Sequence, residues 1–199
     1  LLPDEIAPRV RENVQLRERM RSVFGRDVTT EDIALALASY VRSILSGDSP
    51  YDRFVAGDRA ALGEQEQLGL KLFRSKANCV TCHVGTNFTD ERFHNTGTGW
   101  KNGKWKDEGR VLVTGRPEDR GTFKTPGLRE VAGAAPYMHD GSLRTLEEVI
   151  DFYDEGGRAN PQLDSDIRKL ELTSQEKRAL LAFLKSLSGK VSEGWPGER

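Results

Sequence analysis

Cys79-Val80-Thr81-Cys82-His83 is the stretch that decides the fold of this chain, because it has the spacing C-x-x-C-H. Two thiols three positions apart lie on one side of a helical turn, and a histidine follows the second thiol directly. At this spacing two cysteines can form thioether bonds to the vinyl groups on one edge of a porphyrin, and the histidine can bind the iron. The sequence therefore predicts covalently attached haem c, held by Cys79 and Cys82, with His83 as an axial ligand.

Other uses of this motif stay open from the residues alone. A zinc site needs two further cysteine or histidine ligands at matching spacing, whereas His94 and His139 lie farther along the chain. A dithiol redox motif is typical of a βαβ setting, for which the sequence has no pattern. The third alternative is a pair of buried cysteines without a ligand. Both cysteines of the chain belong to this motif, which excludes a small fold held by several disulfides.

Composition restricts the class of protein. The 199 residues carry a formal net charge of −1, with 36% hydrophobic and 31% charged residues. These values are typical of one or two small globular domains, and nothing in them indicates nucleic-acid binding. No apolar run approaches the roughly 20 residues of a transmembrane helix, so we expect no membrane partner. The chain begins at Leu1 rather than at methionine, and we expect a processed or truncated piece of a longer protein.

Apolar residues at helical spacing, together with capping signals, predict a mostly α fold. The expected helices cover about residues 5–22, 29–46 and 63–75, followed by one from Thr145 to Gly156 and one from Thr173 to before Gly189. Three of them begin with a threonine followed three positions later by an acidic residue, which is typical of an N-terminal capping box. These pairs are Thr29 with Asp32, Thr145 with Glu148, and Thr173 with Glu176.

Residues 84–135 differ from the rest, because they contain nine glycines and no long helical period. One run in this segment, residues 110–114, has the character of a β-strand. A loop of this length is unusual in a compact domain and is often functional, and a haem could organise it in place of regular structure. Trp100 and Trp105 lie among three lysines, which makes them candidates for docking a redox partner; an ordinary solvated loop is the alternative.

The second axial ligand is not decided by the residues alone. Haem iron commonly takes methionine, histidine or tyrosine there. Met138 lies in a loop that could present its sulfur to iron, and Tyr153 lies late in the helix that begins at Thr145. For Tyr153, as for Met20 near the start of the chain, a packing role is the alternative.

Six short motifs follow one another between residues 79 and 157. They are C-V-T-C-H at 79–83, F-H-N-T-G at 93–97, D-R-G-x-F-K-T-P-x-L-R at 119–129, A-P-Y-M-H-D-G at 135–141, T-L-E-E-V at 145–149 and F-Y-x-x-G-G at 152–157. In this order they resemble the C-terminal haem domain of the bacterial di-haem cytochrome c peroxidases and the related MauG enzymes. Ahead of them, T-x-E-D-I-A-x-A-L-A-S-Y, which ends at Tyr40, resembles the helix that ends the family's N-terminal haem domain.

The resemblance implies two cytochrome c-like domains with one haem each. Residues 1–57 would be the tail of the first domain, whose own C-x-x-C-H would lie upstream of this chain. Residues 58–199 would be the C-terminal cytochrome c-like haem domain with its long glycine-rich loop. The haem held here would take electrons from a small donor protein, a cytochrome c or a cupredoxin, and relay them to the second haem, where hydrogen peroxide reacts. A mono-haem electron carrier without catalysis of its own is the alternative.

The resemblance also implies roles for particular residues. At the position of Tyr153 the peroxidases have an axial methionine and MauG-type proteins a tyrosine; Met138 is the rival ligand. A tyrosine there favours a MauG-like oxidase over a conventional peroxidase, since a phenolate stabilises ferric iron. Arg129 could pair with a haem propionate, because arginine suits carboxylate recognition, or it could form a surface salt bridge.

Further expectations concern the missing domain and the setting of the protein. The family binds calcium between its domains, partly through backbone carbonyls that match Ala134 and Pro136. The segment Pro3-Asp4-Glu5-Ile6 resembles a piece that supplies a catalytic glutamate beside the peroxidatic haem, which gives that role to Glu5. The family implies a bacterial periplasm, and it leaves a homodimer open.

Overall fold

The computed structural model describes residues 3–193, which fall into two compact units. One unit contains residues 3–45 and 191–193, and the other is Ser46–Lys190. The boundary between these units follows Leu45, whereas the sequence predicts a domain boundary after residue 57. The assignment of the first 57 residues to a separate haem domain stays a prediction. No helix in the described part of the chain combines the length and the apolar character needed to cross a bilayer.

The regular structure is mostly helical, as predicted, with a few short strands. The helices are α1 (Pro3–Glu12), α2 (Val14–Phe24), α3 (Thr30–Ser43), α4 (Pro50–Val55), α5 (Glu64–Arg74), α6 (Val111–Thr114), α7 (Leu146–Asp154) and α8 (Ser174–Lys185). The strands are β1 (Leu45–Gly47), β2 (Phe93–His94), β3 (Trp100–Lys101), β4 (Lys104–Trp105), β5 (Phe123–Lys124) and β6 (Lys190–Ser192). Strands β2 and β5 pair antiparallel, with Phe93 opposite Lys124, and Trp100 lies opposite Trp105 in the β3–β4 hairpin.

In the first unit, Asn13 divides the helix predicted over residues 5–22 into α1 and α2. The Asn13 backbone is extended, and its side chain accepts a hydrogen bond from the Leu16 backbone N–H. An asparagine that caps a new helix in this way competes with continuation of the preceding one. Helix α3 begins as predicted, with a complete capping box between Thr29 and Asp32.

The core of the second unit lies between α5 and α8. Its buried hydrophobic residues are Leu62, Leu70, Leu72, Phe73, Ala77, Phe88, Ile150, Leu172, Ala179, Leu180, Phe183 and Leu187. The rings of Tyr51, Phe73, Phe88 and Phe183 meet with centroids 5.1–6.3 Å apart. Such aromatic pairs contribute about 0.5–1.5 kcal/mol each beyond their burial. Because α5 leads directly into the cysteine motif, this core determines where the motif lies.

The capping signals of the last two helices have different outcomes. At α8 the box is complete, with Thr173 and Glu176 each binding the other's backbone N–H. At α7 the Thr145 hydroxyl accepts from the Glu148 backbone N–H, but the Glu148 carboxylate accepts from the N–H of Arg144 instead of Thr145. Helix α7 therefore begins where predicted, but with only one of the two hydrogen bonds of a capping box.

The strand predicted at residues 110–114 is wrong. Val111–Thr114 is a single helical turn, and Gly115 ends it with a φ of 67°. Leu112 and Val113 are 72% and 89% exposed, so neither packs on a sheet. The Arg110 N–H still donates to the Thr122 carbonyl oxygen at 3.1 Å, but the chain then turns into the helix instead of continuing this pairing. The strand preference of branched residues depends largely on packing against neighbouring strands, which exposed Leu112 and Val113 do not have.

Gly69 allows α5 and α8 to approach closely. A Cβ at this position would lie 2.0 Å from the Ala179 carbonyl oxygen. Gly69→Ala must therefore push the helices apart, and we expect it to lower the free energy of unfolding by about 3 kcal/mol, which is typical of an overpacked core. Chemical unfolding measures this loss. Gly133→Ala is the matched control, because a Cβ there meets no heavy atom within 4 Å; equal losses in the two variants would contradict the close packing.

Candidate haem-binding site

Cys79 begins a turn of 3-10 helix, Cys79–Thr81, shortly after α5, and Cys82 caps the end of this turn. The backbone N–H groups of Cys82 and His83 both donate to the Cys79 carbonyl oxygen, at 3.3 and 2.9 Å. Both thiols are free and half-buried. Burial raises the pKa of Cys79 to about 12 and that of Cys82 to about 11. A redox dithiol needs a thiolate of lowered pKa, so this setting does not fit the dithiol alternative.

His83 is oriented by a hydrogen bond to the segment that follows the cysteine turn. Its Nδ1 lies 2.8 Å from the Phe88 carbonyl oxygen. Because a carbonyl oxygen only accepts, Nδ1 carries the proton and Nε2 keeps its lone pair. Burial lowers the pKa of His83, which favours the neutral ring that a metal ligand needs. Metal-binding histidines typically donate the N–H of their other ring nitrogen to an oxygen acceptor in this way.

Tyr153, in the last turn of α7, lies beside the cysteine turn. Burial raises the pKa of its hydroxyl to about 12, and the thiols of Cys79 and Cys82 are near enough to add to the effect. A hydrogen bond with Thr96 acts in the opposite direction. The fold thus brings the Tyr153 hydroxyl, from a helix distant in the sequence, near enough to the two thiols for an electrostatic interaction.

Asn95 joins the two loops that surround Tyr153, and sequence reasoning did not single it out. It is 2% exposed, its amide nitrogen lies 3.0 Å from the Asn160 side-chain oxygen, and its Oδ1 accepts from the Gly97 N–H at 2.9 Å. This network holds Thr96, and hence the hydrogen bond to Tyr153, in place. The only signal in the sequence was its position in F-H-N-T-G.

His94 lies between two carboxylates next to Cys82. Its Nδ1 is 2.7 Å from Asp164 Oδ2, and its Nε2 is 2.8 Å from Asp90 Oδ2. Burial alone would lower the pKa of His94, but its hydrogen bonds to Asp164 and Asp90 raise it. Ligand atoms of Cys82, Asp90 and His94 lie within 4.8 Å of one another. Three ligand atoms, one of them a carboxylate oxygen, fall short of the four cysteine or histidine ligands typical of a structural zinc site, so this group fits zinc poorly.

Two family models together match most of the chain. Residues 2–60 match the family described as di-haem cytochrome c peroxidase, and residues 67–188 match cytochrome c. The chain belongs to the di-haem cytochrome c peroxidase and MauG family.

Curated relatives agree with this membership. The chain is 37% identical to the methylamine utilization protein MauG of Methylorubrum extorquens over 172 residues, which are 85% of this chain and 48% of that protein. It is 35% identical to the cytochrome c551 peroxidase of Nitrosomonas europaea over 189 residues, 93% of this chain and 53% of that one. The chain thus spans about half the length of the curated relatives it matches.

Solved structures of this family have the same fold. A MauG-like protein associated with microbial copper homeostasis is 40% identical, with a TM-score of 0.65, over 72% of this chain and 52% of that one. The diheme peroxidase BthA of Burkholderia thailandensis is 22% identical, with a TM-score of 0.69, over 94% of this chain and 59% of that one. The second likeness concerns the fold alone.

Covalent haem c is the cofactor of the cytochrome c domain of this family, and the residues of the site fit it. Cys79 and Cys82 offer neutral thiols for two vinyl groups. His83 offers a lone pair on Nε2 for iron. Tyr153 offers an oxygen donor from another part of the chain. An imidazole nitrogen and a phenol oxygen are both donors that haem iron takes as axial ligands.

Met138, the rival axial ligand, lies in the loop between Pro136 and Gly141. Its backbone has a φ of 66°, its side chain is half-buried, and its carbonyl oxygen accepts from the Gly141 N–H at 3.2 Å. The choice between Met138 and Tyr153 stays a prediction.

Arg129 has a partner other than the predicted haem propionate. Its guanidinium donates to both carboxylate oxygens of Asp52 at 2.9 Å, and its Nε donates to the Thr86 carbonyl oxygen at 2.7 Å. The Arg129 hydrogen bond lowers the pKa of Asp52 to about 2. The structure therefore shows the alternative considered for Arg129, a salt bridge, because a carboxylate from α4 lies within reach.

The residues predicted to dock a redox partner, to bind calcium or to act as the catalytic glutamate lie away from the cysteine turn in the sequence. Trp100 and Trp105 meet edge to face with centroids 4.9 Å apart, and the docking role of this hairpin stays a prediction. Ala134 and Pro136 are exposed in the loop after the turn Val131–Gly133, and Glu5 is exposed in α1. Their predicted roles involve the family's other haem domain.

Proposed function

We propose that this chain is the electron-transfer haem c portion of a di-haem cytochrome c peroxidase or a MauG-like oxidase. The observation that carries the proposal is the haem-attachment turn itself, in which the Cys82 and His83 N–H groups donate to the Cys79 carbonyl oxygen and the Phe88 carbonyl oxygen holds His83 Nδ1. His83 would bind the iron through Nε2, and Tyr153, which is near enough to both thiols for them to affect its pKa, would be the second ligand. An iron with both axial positions filled has no site for peroxide, and it is suited to passing electrons.

Each residue of the site has a distinct part in this function. Cys79 and Cys82 would hold the haem edge, and His83, fixed by the Phe88 carbonyl, would present Nε2 to the iron. Haem c, when bound, supplies a ferric–ferrous couple for one-electron transfer. Burial keeps the Tyr153 hydroxyl protonated when no cation is near. A neighbouring metal cation would favour the deprotonated phenolate instead. Tyrosine at this position favours the MauG-like oxidase over the conventional peroxidase.

The partners and the setting are parts of the same proposal. A small electron-donor protein, a cytochrome c or a cupredoxin, would reduce this haem. The electron would pass to a second haem, where hydrogen peroxide reacts. We place the protein in a bacterial periplasm, because its family attaches haem c outside the cytoplasm. A calcium ion at the carbonyls of Ala134 and Pro136 and a homodimeric state remain parts of the proposal that follow from family membership.

Steady-state kinetics with the haem-loaded 199-residue chain tests this function. With hydrogen peroxide and a reduced donor protein we expect turnover near background, because His83 and Tyr153 would together leave no position on the iron for peroxide. The donor itself should still reduce the haem, as followed by its visible spectrum. Fast peroxide turnover by this chain would contradict the proposal, since the haem would then be peroxidatic.

Tyr153→Ala is the matched variant, because it opens one axial position and keeps the cysteine turn intact. We expect this variant to gain reactivity with peroxide. The alternative, a mono-haem carrier, predicts the same low turnover of the unmodified protein. A second C-x-x-C-H in the upstream reading frame supports the enzyme over the carrier.

A further inference from the structure

Arg158 is a half-buried cation without an acidic partner. The half-buried lysine and arginine residues of the unit Ser46–Lys190 are Lys101, Arg110, Arg129, Arg158 and Lys177. Four of them form ion pairs, with Asp140, Asp119, Asp52 and Asp154 respectively. Arg158 forms none with the described residues of the chain. This guanidinium therefore has its charge free to bind an anion from outside the polypeptide.

The surroundings of Arg158 leave room for such an anion. Its guanidinium lies 5.8 Å from the Phe152 ring centroid, and its Nη1 reaches the Thr98 carbonyl oxygen only at 3.5 Å. With Trp100, Lys101 and Asn102 it lines a cavity of about 380 Å³. Most of its N–H groups therefore remain available on an open side.

Arg158 is also tied to the surroundings of Tyr153. Its backbone N–H donates to the Thr96 carbonyl oxygen at 3.2 Å, and Thr96 forms a hydrogen bond with Tyr153. Phe152, which lies under the guanidinium, meets the Tyr153 ring edge to face at 5.2 Å. Two short chains of contacts thus join Arg158 to the proposed axial ligand. The propionates of haem are its only carboxylates, and Arg129 is already engaged by Asp52.

We propose that Arg158 binds a propionate of haem c, and that the cavity beside Trp100 admits this carboxylate. The inference rests on the proposed placement of haem between His83 and Tyr153. A planar guanidinium can donate two parallel hydrogen bonds to one carboxylate, which makes it a strong propionate partner. The same cation stabilises the reduced haem, which carries one more negative charge than the oxidised haem.

Arg158→Gln in the haem-loaded chain tests the contact. We expect its midpoint reduction potential to fall, because a positive charge beside the haem is removed. We also expect the propionate bending band in the resonance Raman spectrum to shift, since the hydrogen bonds to that group are lost. Arg158→Lys keeps the positive charge but lacks the two parallel N–H donors of the guanidinium. It should therefore retain most of the midpoint reduction potential and still shift the propionate bending band.

Arg168→Gln is the matched control, because Arg168 is exposed and forms no ion pair in the described part of the chain. It should leave both measurements unchanged. Unchanged values in both Arg158 variants, or a fall in potential without a change in the propionate band, would overturn the proposed contact. The mass of the denatured chain reports covalent haem independently. Failure of the unmodified protein to attach haem would instead refute the proposed function.

Discussion

Replacing both cysteines, in Cys79→Ala with Cys82→Ala, is expected to leave a chain without covalently attached haem. The two thioether bonds are the only covalent links that the C-x-x-C-H motif can form to the porphyrin. Acidified acetone should therefore fail to strip haem from the unmodified protein and should remove any haem that the double variant retains. The mass of the denatured chain provides a second measurement of the same loss.

Thr81→Ala is the matched control for the cysteine variant. Thr81 is exposed in the same turn, and its contact within that turn is made by its backbone N–H. Attachment should survive this change. If acidified acetone released haem freely from the unmodified protein, covalent attachment and the function proposed from it would both be wrong.

Tyr153→Phe is expected to raise the reduction potential of the bound haem. A phenolate ligand selectively stabilises ferric iron, and phenylalanine retains the ring while removing the oxygen donor. Loss of a ligand preference worth about 3 kcal/mol would move a one-electron couple by on the order of 100 mV. Spectroelectrochemical titration measures this shift, and the ferric spectrum should change with it.

Met138→Leu is the control for the tyrosine variant, because it removes the rival ligand and nearly conserves side-chain volume. Its ferric spectrum should be almost unchanged. A methionine-to-iron charge-transfer band that vanishes in Met138→Leu and survives in Tyr153→Phe would transfer the axial role to Met138. That result would also favour a conventional peroxidase over a MauG-like oxidase.

Local features of the fold followed from the sequence because their physical causes lie within a few residues. The capping boxes at Thr29 and Thr173 need only the correct side chains three positions apart, and both form. The apolar spacing around Phe73 predicts α5, since burial of one helix face dominates its stability. The strand predicted at residues 110–114 failed because strand formation needs a neighbouring strand, which a short sequence window does not contain.

The tertiary structure decided the contacts that join distant parts of the chain. No periodicity or spacing indicates that Arg129 would meet Asp52, or that His94 would meet Asp164. These pairs depend on how α4 and the glycine-rich loop pack around the core. The strength of an ion pair depends on the distance between the two charges in space. The number of residues between them in the sequence says little about that distance.

The sequence by itself determined the chemistry of this protein: a C-x-x-C-H motif with the residues to hold one haem c, in a mostly α chain of the di-haem peroxidase and MauG family. Two adjacent turns of backbone are enough to place Cys79, Cys82 and His83, so these residues could be identified at once. Only the tertiary structure decided that Tyr153 comes near enough to those thiols to interact with them and that Arg158 forms no ion pair with any described residue. Both outcomes arise because packing of the helices and the Asn95 network brings separate segments of the chain together. Whether a half-buried charge has an acidic partner depends on all of its neighbours in space, which the sequence does not specify.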